Sequence, residues 1–212
     1  MNWLSQNWSQ VAQLTLDHVL LSVPAILLSA LIAVPIGRAS FRFRRVGGAL
    51  TSTATLLYAI PALPMLIVVP VLLGVPLRSS ANMVIVLTLY GVALLVRSAA
   101  DGFGAVDRGV RESATAIGYS RIGAFWRVDL PLAFPVILAG VRVVAVSTIS
   151  LVTIGALIGV SSLGTLLTDG FQRGITSEVI VGIVATVVLA LAVDALLLLL
   201  GRALTPWRRV TP

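Results

Sequence analysis

Side chains able to do covalent chemistry are almost absent from this chain. None of its 212 residues is Cys, and all 15 basic residues are Arg. A phosphate-binding P-loop needs its Lys, a Schiff base needs a Lys, and a thiolate nucleophile or Cys-ligated metal needs Cys. His18 is the only His. Alone at the edge of an apolar run, it reads as an interfacial side chain rather than a ligand. No metal site is expected, and a membrane-embedded enzyme lacks a workable set of residues. The polar side chains concentrate elsewhere. Residues 97–129 hold nine of the chain's 23 Asp, Glu and Arg residues in 33 positions. Within ESATAIGYSRIGAFWRVDLP (112–131), Glu112, Arg121, Arg127 and Asp129 stand between long apolar runs. Ionised groups at this density suit recognition of a soluble partner through charge-assisted hydrogen bonds. The alternative is a solvated loop resting on a membrane surface.

The elements around that stretch are set by composition. The chain is 58% hydrophobic and 11% charged, with a mean hydropathy of +1.05. A soluble domain carries about 25% charged residues, so an integral membrane protein is expected. Apolar runs with at most one charged residue place five helical spans, near 18–37, 48–73, 79–98, 132–159 (interrupted by Arg142) and 179–201 (interrupted by Asp194), each at or above the ~18 residues that cross a bilayer. The second contains Pro61, Pro64 and Pro70 and reads as one long kinked span. The ~10-residue alternating segments of a membrane β-barrel are missing.

Arg placement orients the spans. The gaps at 38–45 and 98–131 and the tail after 201 hold eleven Arg, against two in the alternate gaps (Arg78 and Arg173). The positive-inside rule then puts the N-terminus outside and the C-terminus in the cytoplasm, which an odd number of spans satisfies. This pattern reports orientation, not nucleic-acid binding, despite the net charge of +7. Trp3, Trp8 and Trp207 flank the outermost spans as interfacial aromatics do, and the first residues lack the charged region and cleavage site of a removable signal peptide.

Two short helices are expected in the cytoplasmic stretch. Asp107 can cap the first, with Val110, Ala114 and Ile117 on one side. Gly118 can end it in a left-handed conformation. Ser120 can cap the second, with Ile122, Phe125 and Trp126 on its apolar side. Pro131 suits the first turn of the fourth span. Helices this short cannot span and must lie across the cytoplasmic ends of the others.

Within the spans, Arg142 and Asp194 are the costly residues. They read as an ion pair locking two spans, with Arg97 as the other possible partner of Asp194, or as a gate contact. Ser147, Thr148, Ser150 and Thr153 can present hydroxyls to a pore, or bond their own helix. Tyr58 and Tyr90 are the only Tyr in the spans, too few for an aromatic cage around a quaternary ammonium. Solute selection is therefore expected mainly outside this chain.

The spacing Glu112-Ser113-Ala114, Gly118, then Val128-Asp129-Leu130-Pro131 resembles the EAA loop of ABC-importer permeases, Glu-Ala-Ala-x3-Gly-x9-Ile-x-Leu-Pro. Ser113 stands in place of Ala and Val128 in place of Ile. Residues 18–202 resemble the type-1 permease domain of the glycine betaine, carnitine and choline importers, a methionine-importer-like fold. Tyr58-Ala59-Ile60-Pro61-Ala62-Leu63 looks like that subfamily's second-span motif, and 130–142 (LPLAFPVILAGVR) is similar to its fourth-span entry. Residues 156–164 (ALIGVSSLG) resemble its Gly-rich exit, with Ser161 and Ser162 where Gly is usual.

The resemblance implies an all-α membrane protein of about five spans in a bacterial inner membrane. It has a short external N-terminus (1–17), a permease domain (18–202) with the coupling loop at 107–131, and a cytoplasmic tail (203–212). It implies a second permease chain, identical or homologous, two cytoplasmic ATPase subunits that use ATP and magnesium, and an external solute-binding protein; no cofactor belongs to this chain. Glu112, Ser113, Ala114, Gly118, Leu130 and Pro131 would couple it to the ATPase. Pro61, Tyr58, Ser147, Thr148, Ser150, Ser161 and Ser162 are candidates for pore and gate. The same fold importing methionine or another amino-acid-like solute is the alternative. A stand-alone channel or secondary transporter is a further one, although those usually show inverted repeats.

Overall fold

The computed structural model describes residues 2–206. The expected interfacial Trp207 and the basic tail residues Arg208 and Arg209 lie outside the described residues. Ten helices follow in order: α1 (Asn2–Gln6), α2 (Trp8–Arg42), α3 (Arg44–Ala59), α4 (Ala62–Leu73), α5 (Ser80–Gly104), α6 (Arg108–Ala116), α7 (Arg121–Ala124), α8 (Leu130–Val152), α9 (Leu163–Gln172) and α10 (Thr176–Leu204). A π-turn (Phe125–Asp129) joins α7 to α8, and a 3₁₀ turn (Thr153–Ile158) ends α8. No strand occurs among the described residues.

Helix directions follow from which residues share a buried cluster. At one end, Leu21 and Ala25 of α2 pack with Met83, Val86 and Leu87 of α5 and with Val152 of α8. At mid-height Ala33 packs with Leu95, Val96 and Val144. At the other end Val34 and Phe41 pack with Ala99 and Phe103, and with Ala133 and Ile137. Residue numbers rise together along α2 and α5 and fall along α8. So α2 and α5 are parallel and α8 is antiparallel to both. Asp194 of α10 bonds Arg142, and Gly201 packs on Leu138, which sets α10 antiparallel to α8.

Parallel α2 and α5 require the chain between them to cross back once, and it does so as a broken span. Helices α3 and α4 are bent by 107° at Ile60–Pro61, not gently kinked. Pro61 has no N–H, and it holds Ile60 extended; both residues are extended, with ψ of 129° and 141°. The Tyr90 hydroxyl donates to the Ile60 carbonyl and pins the break. Ala54 of α3 sits at the mid-height cluster, while Leu66 and Val69 of α4 sit with Met83 at the far end. The pair therefore travels the length of α5 and is a crossing rather than a re-entrant loop. With the bent pair counted as one span, the described residues make five crossings, and the first and last open on opposite faces.

Two boundaries differ from expectation. Helix α2 starts at Trp8 rather than near residue 18, so His18 is inside it and fully buried. The 3₁₀ turn explains this. The Thr153 N–H turns to the Ser150 carbonyl, which frees the Ile149 carbonyl of its i+4 donor. His18 Nε2 donates to it at 3.0 Å. His18 is thus a bolt between α2 and α8, not an interfacial residue. The 160–178 gap also contains a helix, α9, whose Leu163 and Leu166 are buried against Val11 and Leu14 of α2.

Small residues let the helices meet, as they do where apolar burial gives no net gain between spans. A Cβ on Gly37 would lie 2.5 Å from the Ala99 Cβ, and one on Gly140 2.6 Å from the Ser98 Cβ. The outer faces of α4 and α10 are left apolar and exposed, for example Val71, Leu72, Val188 and Leu191, as lipid or another chain requires.

Candidate coupling loop and polar sites in the spans

The charged stretch folds as a compact knob under the bundle. The Asp107 carboxylate accepts from the Val110 N–H at 3.2 Å and starts α6, satisfying an otherwise orphaned donor. Gly118 ends it with φ +91°. There the Tyr119 N–H reaches the Ala114 carbonyl at 3.0 Å and the Gly118 N–H reaches Thr115 at 3.1 Å. That pair of bonds is a Schellman motif, which needs a left-handed residue at this position. Ser120 then caps α7 through the Gly123 N–H at 3.1 Å.

The second helix is not a separate body. It runs through the π-turn into α8, with the Leu130 N–H bonded to the Phe125 carbonyl. Pro131 follows at once and has no N–H to give, so the widened turn sits where the ladder is already interrupted. The extra residue leaves Ile122 and Trp126 exposed, turns Phe125 inward and buries Asp129. Val110 and Ile117 are also exposed, so the knob presents apolar side chains among its charges. Glu112 is exposed and accepts from Arg108 Nε at 2.7 Å. Ser113 is exposed and Ala114 buried.

Sequence reasoning missed the ion cluster behind the knob. Asp129 is 3% exposed. It accepts from Arg111 Nε of α6 at 2.7 Å and from the Arg38 guanidinium of α2. Arg111 also donates to the Val106 and Phe103 carbonyls. Arg38 lies over the rings of Phe103, Phe125 and Phe41 at 5.1, 5.5 and 5.8 Å, and Arg111 over Phe41 at 4.6 Å. Weakly hydrated guanidinium groups suit such faces. No sequence signal links Arg38 to Asp129.

In the spans, Arg142 and Asp194 form a two-bond fork, Nε to Oδ1 and NH2 to Oδ2, each 2.7 Å. Arg97 lies elsewhere, exposed and 4.0 Å from Asp101. The fork borders a groove of about 640 Å³ between α8 and α10, lined also by Ser147, Ser150 and Thr186. Thr148 is buried and does not line it. Tyr58 is exposed beside the Pro61 break, edge-on to Tyr90 with ring centres 5.8 Å apart. Ser161 lines a hollow with Asp17 and Arg78 at the opposite end from the knob. Ser162 is fully buried and caps α9.

The fork gives a first expected result. Asp194→Asn leaves a cation without its partner in a span, so the purified protein should unfold at lower temperature. Adding Arg142→Gln removes the stranded charge and should recover part of the loss. Additive losses in this cycle would show that the two side chains do not stabilise each other.

Comparison with known proteins places this architecture. Residues 18–210 match the family described as "Binding-protein-dependent transport system inner membrane component". The chain is 32% identical over 209 residues to the glycine betaine/carnitine/choline transport system permease protein OpuCD of Bacillus subtilis, covering 98% of this chain and 90% of that protein. It is 32% identical over 211 residues to the choline transport system permease protein OpuBD of the same organism, covering 99% and 92%. Its fold is similar to a chain of the inward-facing MetNI methionine ABC transporter, with a TM-score of 0.81 at 16% identity over 92% of this chain and 96% of that one. Five crossings with a helical knob between the third and fourth, on a chain matched across almost its whole length, make this protein a member of the binding-protein-dependent transport family: a multi-pass ABC-transporter permease of the bacterial inner membrane.

Proposed function

We propose that this chain forms the pore of an ATP-driven importer for a small quaternary-ammonium solute of the glycine betaine, carnitine and choline type. The names of its relatives support the solute class. In this reading a second permease chain completes the pore. Two ATPase subunits use ATP and magnesium at the cytoplasmic face, and an external binding protein delivers the solute. The chain itself binds no cofactor and catalyses nothing.

The knob at 107–131 carries the proposal. Its Schellman turn at Gly118 and its unbroken run into α8 make a stiff lever with apolar and charged groups outward, which is what docking to a soluble motor needs. The Arg split puts this face, with 38–45, in the cytoplasm, and residues 1–17 and α9 outside. The groove beside Arg142 and Asp194, with the Ser147 and Ser150 hydroxyls, is the proposed solute path, and Tyr58 at the Pro61 break the proposed gate.

Reconstitution tests this. With its ATPase and binding protein in liposomes, the permease should take up labelled choline or glycine betaine only when Mg-ATP is present. Saturable methionine uptake in its place would overturn the solute class, and flux without ATP would overturn the importer. Orientation is read in the same vesicles, from the side on which an impermeant thiol reagent reaches Arg42→Cys in this otherwise cysteine-free chain.

A further inference from the structure

We infer that Asp129 is the mechanical joint through which the knob moves α2 and α8 together; this rests on the coupling role proposed for the knob. The covalent chain links α6 to only one crossing on its far side, through α7 and the π-turn into α8. Helix α2 has no covalent route to the knob shorter than the whole of α3–α5. Yet Asp129 joins all three: it is part of the turn entering α8, it holds Arg111 of α6 at 2.7 Å, and it holds Arg38 of α2. Arg111 further ties α6 to the end of α5 through the Phe103 and Val106 carbonyls.

Three features separate this cluster from an ordinary surface ion pair. It is buried, with Asp129 3% exposed, so salt and water do not weaken it as they do exposed pairs. It sits in the π-turn, where a widened helix re-aims its side chains. Three Phe rings, from α2, α5 and the π-turn, close around Arg38. By contrast the exposed Arg108–Glu112 and Arg97–Asp101 pairs each lie within a single helix and connect nothing.

A push on α6 therefore reaches α2 and α8 at one carboxylate. Cutting that carboxylate leaves α8 driven and α2 idle. The ATPase should still turn over, while the pore fails to open as a unit.

The test uses the whole importer in liposomes and reads solute moved per ATP hydrolysed. Asp129→Asn should keep ATP hydrolysis and lower that ratio by about tenfold, the scale of ordinary coupling energies. Asp129→Glu, which can still reach both Arg residues, should keep most of it. Spin labels at Thr115→Cys on α6 and Leu31→Cys on α2 add a readout that mere stability does not move. Their separation should stay fixed on ATP binding in the wild type and change in Asp129→Asn. Where Asp129→Asn does not assemble, Arg111→Lys decides: it keeps the charge but cannot hold the carboxylate and two carbonyls together, and should lower the ratio similarly. A wild-type ratio in whichever of these assembles, beside an uncoupled Gly118→Val, overturns the joint and leaves the coupling role standing. A wild-type ratio in Gly118→Val as well removes the coupling role itself.

Discussion

Gly118→Val is expected to abolish solute uptake while the permease remains in the membrane. The reason is confined to the backbone. Gly118 has φ +91°, and a Cβ built there meets nothing within 4 Å. No packing clash opposes the side chain; the dihedral alone does. A β-branched residue is the least tolerant of positive φ, and non-glycine residues in that region cost about 1–3 kcal/mol. The cheapest escape is to unwind the turn. That breaks the Tyr119 and Gly118 N–H bonds to Ala114 and Thr115 and swings α7 away from α6. The knob then loses its shape at the surface where it would seat.

A graded series makes this sharp. Asn tolerates positive φ better than Ala, and Ala better than Val, so uptake should fall in the order Gly, Asn, Ala, Val. Glu112→Ala separates shape from contact. Its pair with Arg108 is exposed and within one helix, worth about 0.3–0.5 kcal/mol at most. So small a loss cannot unfold α6. Lost coupling in Glu112→Ala would therefore mean that the carboxylate touches the ATPase itself. Uptake equal to wild type in Gly118→Val would show that the segment is a solvated loop.

How much of this was legible in the sequence depended on range. The crossings were visible as long apolar runs with at most one charge each, because a bilayer tolerates few charges. The caps at Asp107 and Ser120 and the turn at Gly118 were visible because each is decided within five residues. The break at Pro61 was half visible. Proline ends a helix locally, but the 107° angle is held by Tyr90, 30 residues away. Charge was misleading at the start of α2. His18 looked like the edge of the span, yet its Nε2 is bonded inside the bundle to a carbonyl that a distant 3₁₀ turn released. The Asp129 cluster was invisible for the same reason. Arg38 and Arg111 counted equally well as markers of the cytoplasmic side, and a pairing across 91 residues leaves no spacing to read.

Gly164→Ala, the addition of one methyl group to a buried glycine in the first turn of α9, should destabilise the permease. Ser162 fixes the first turn of α9 at three points: it accepts from the Gly164 N–H at 3.1 Å, donates to the Val152 carbonyl at 3.3 Å, and its own N–H is held by Thr165 Oγ1 at 3.3 Å. That turn is pressed onto the 3₁₀ turn so closely that a Cβ on Gly164 would fall 2.1 Å from the Thr153 oxygen and 2.6 Å from its Cα. Both obstacles are backbone, so no rotamer change relieves them, and α9 must lift. Lifting breaks the Ser162–Val152 bond and exposes Leu163 and Leu166, which are fully buried against Val11 and Leu14. Overpacking of this kind costs about 1–3 kcal/mol. Gly48→Ala is the control, since a Cβ there meets nothing within 4 Å and Ala favours the helix by up to ~1 kcal/mol. Thermal unfolding of the purified proteins should put Gly164→Ala several degrees below wild type and Gly48→Ala at or above it. Because α9 closes the end of the bundle opposite the knob, Gly164→Ala should also weaken stimulation of the ATPase by the loaded binding protein, without changing how the ATPase docks. Equal unfolding temperatures for the two variants would mean that α9 is loosely seated and that this end of the permease is set by the partner chain instead.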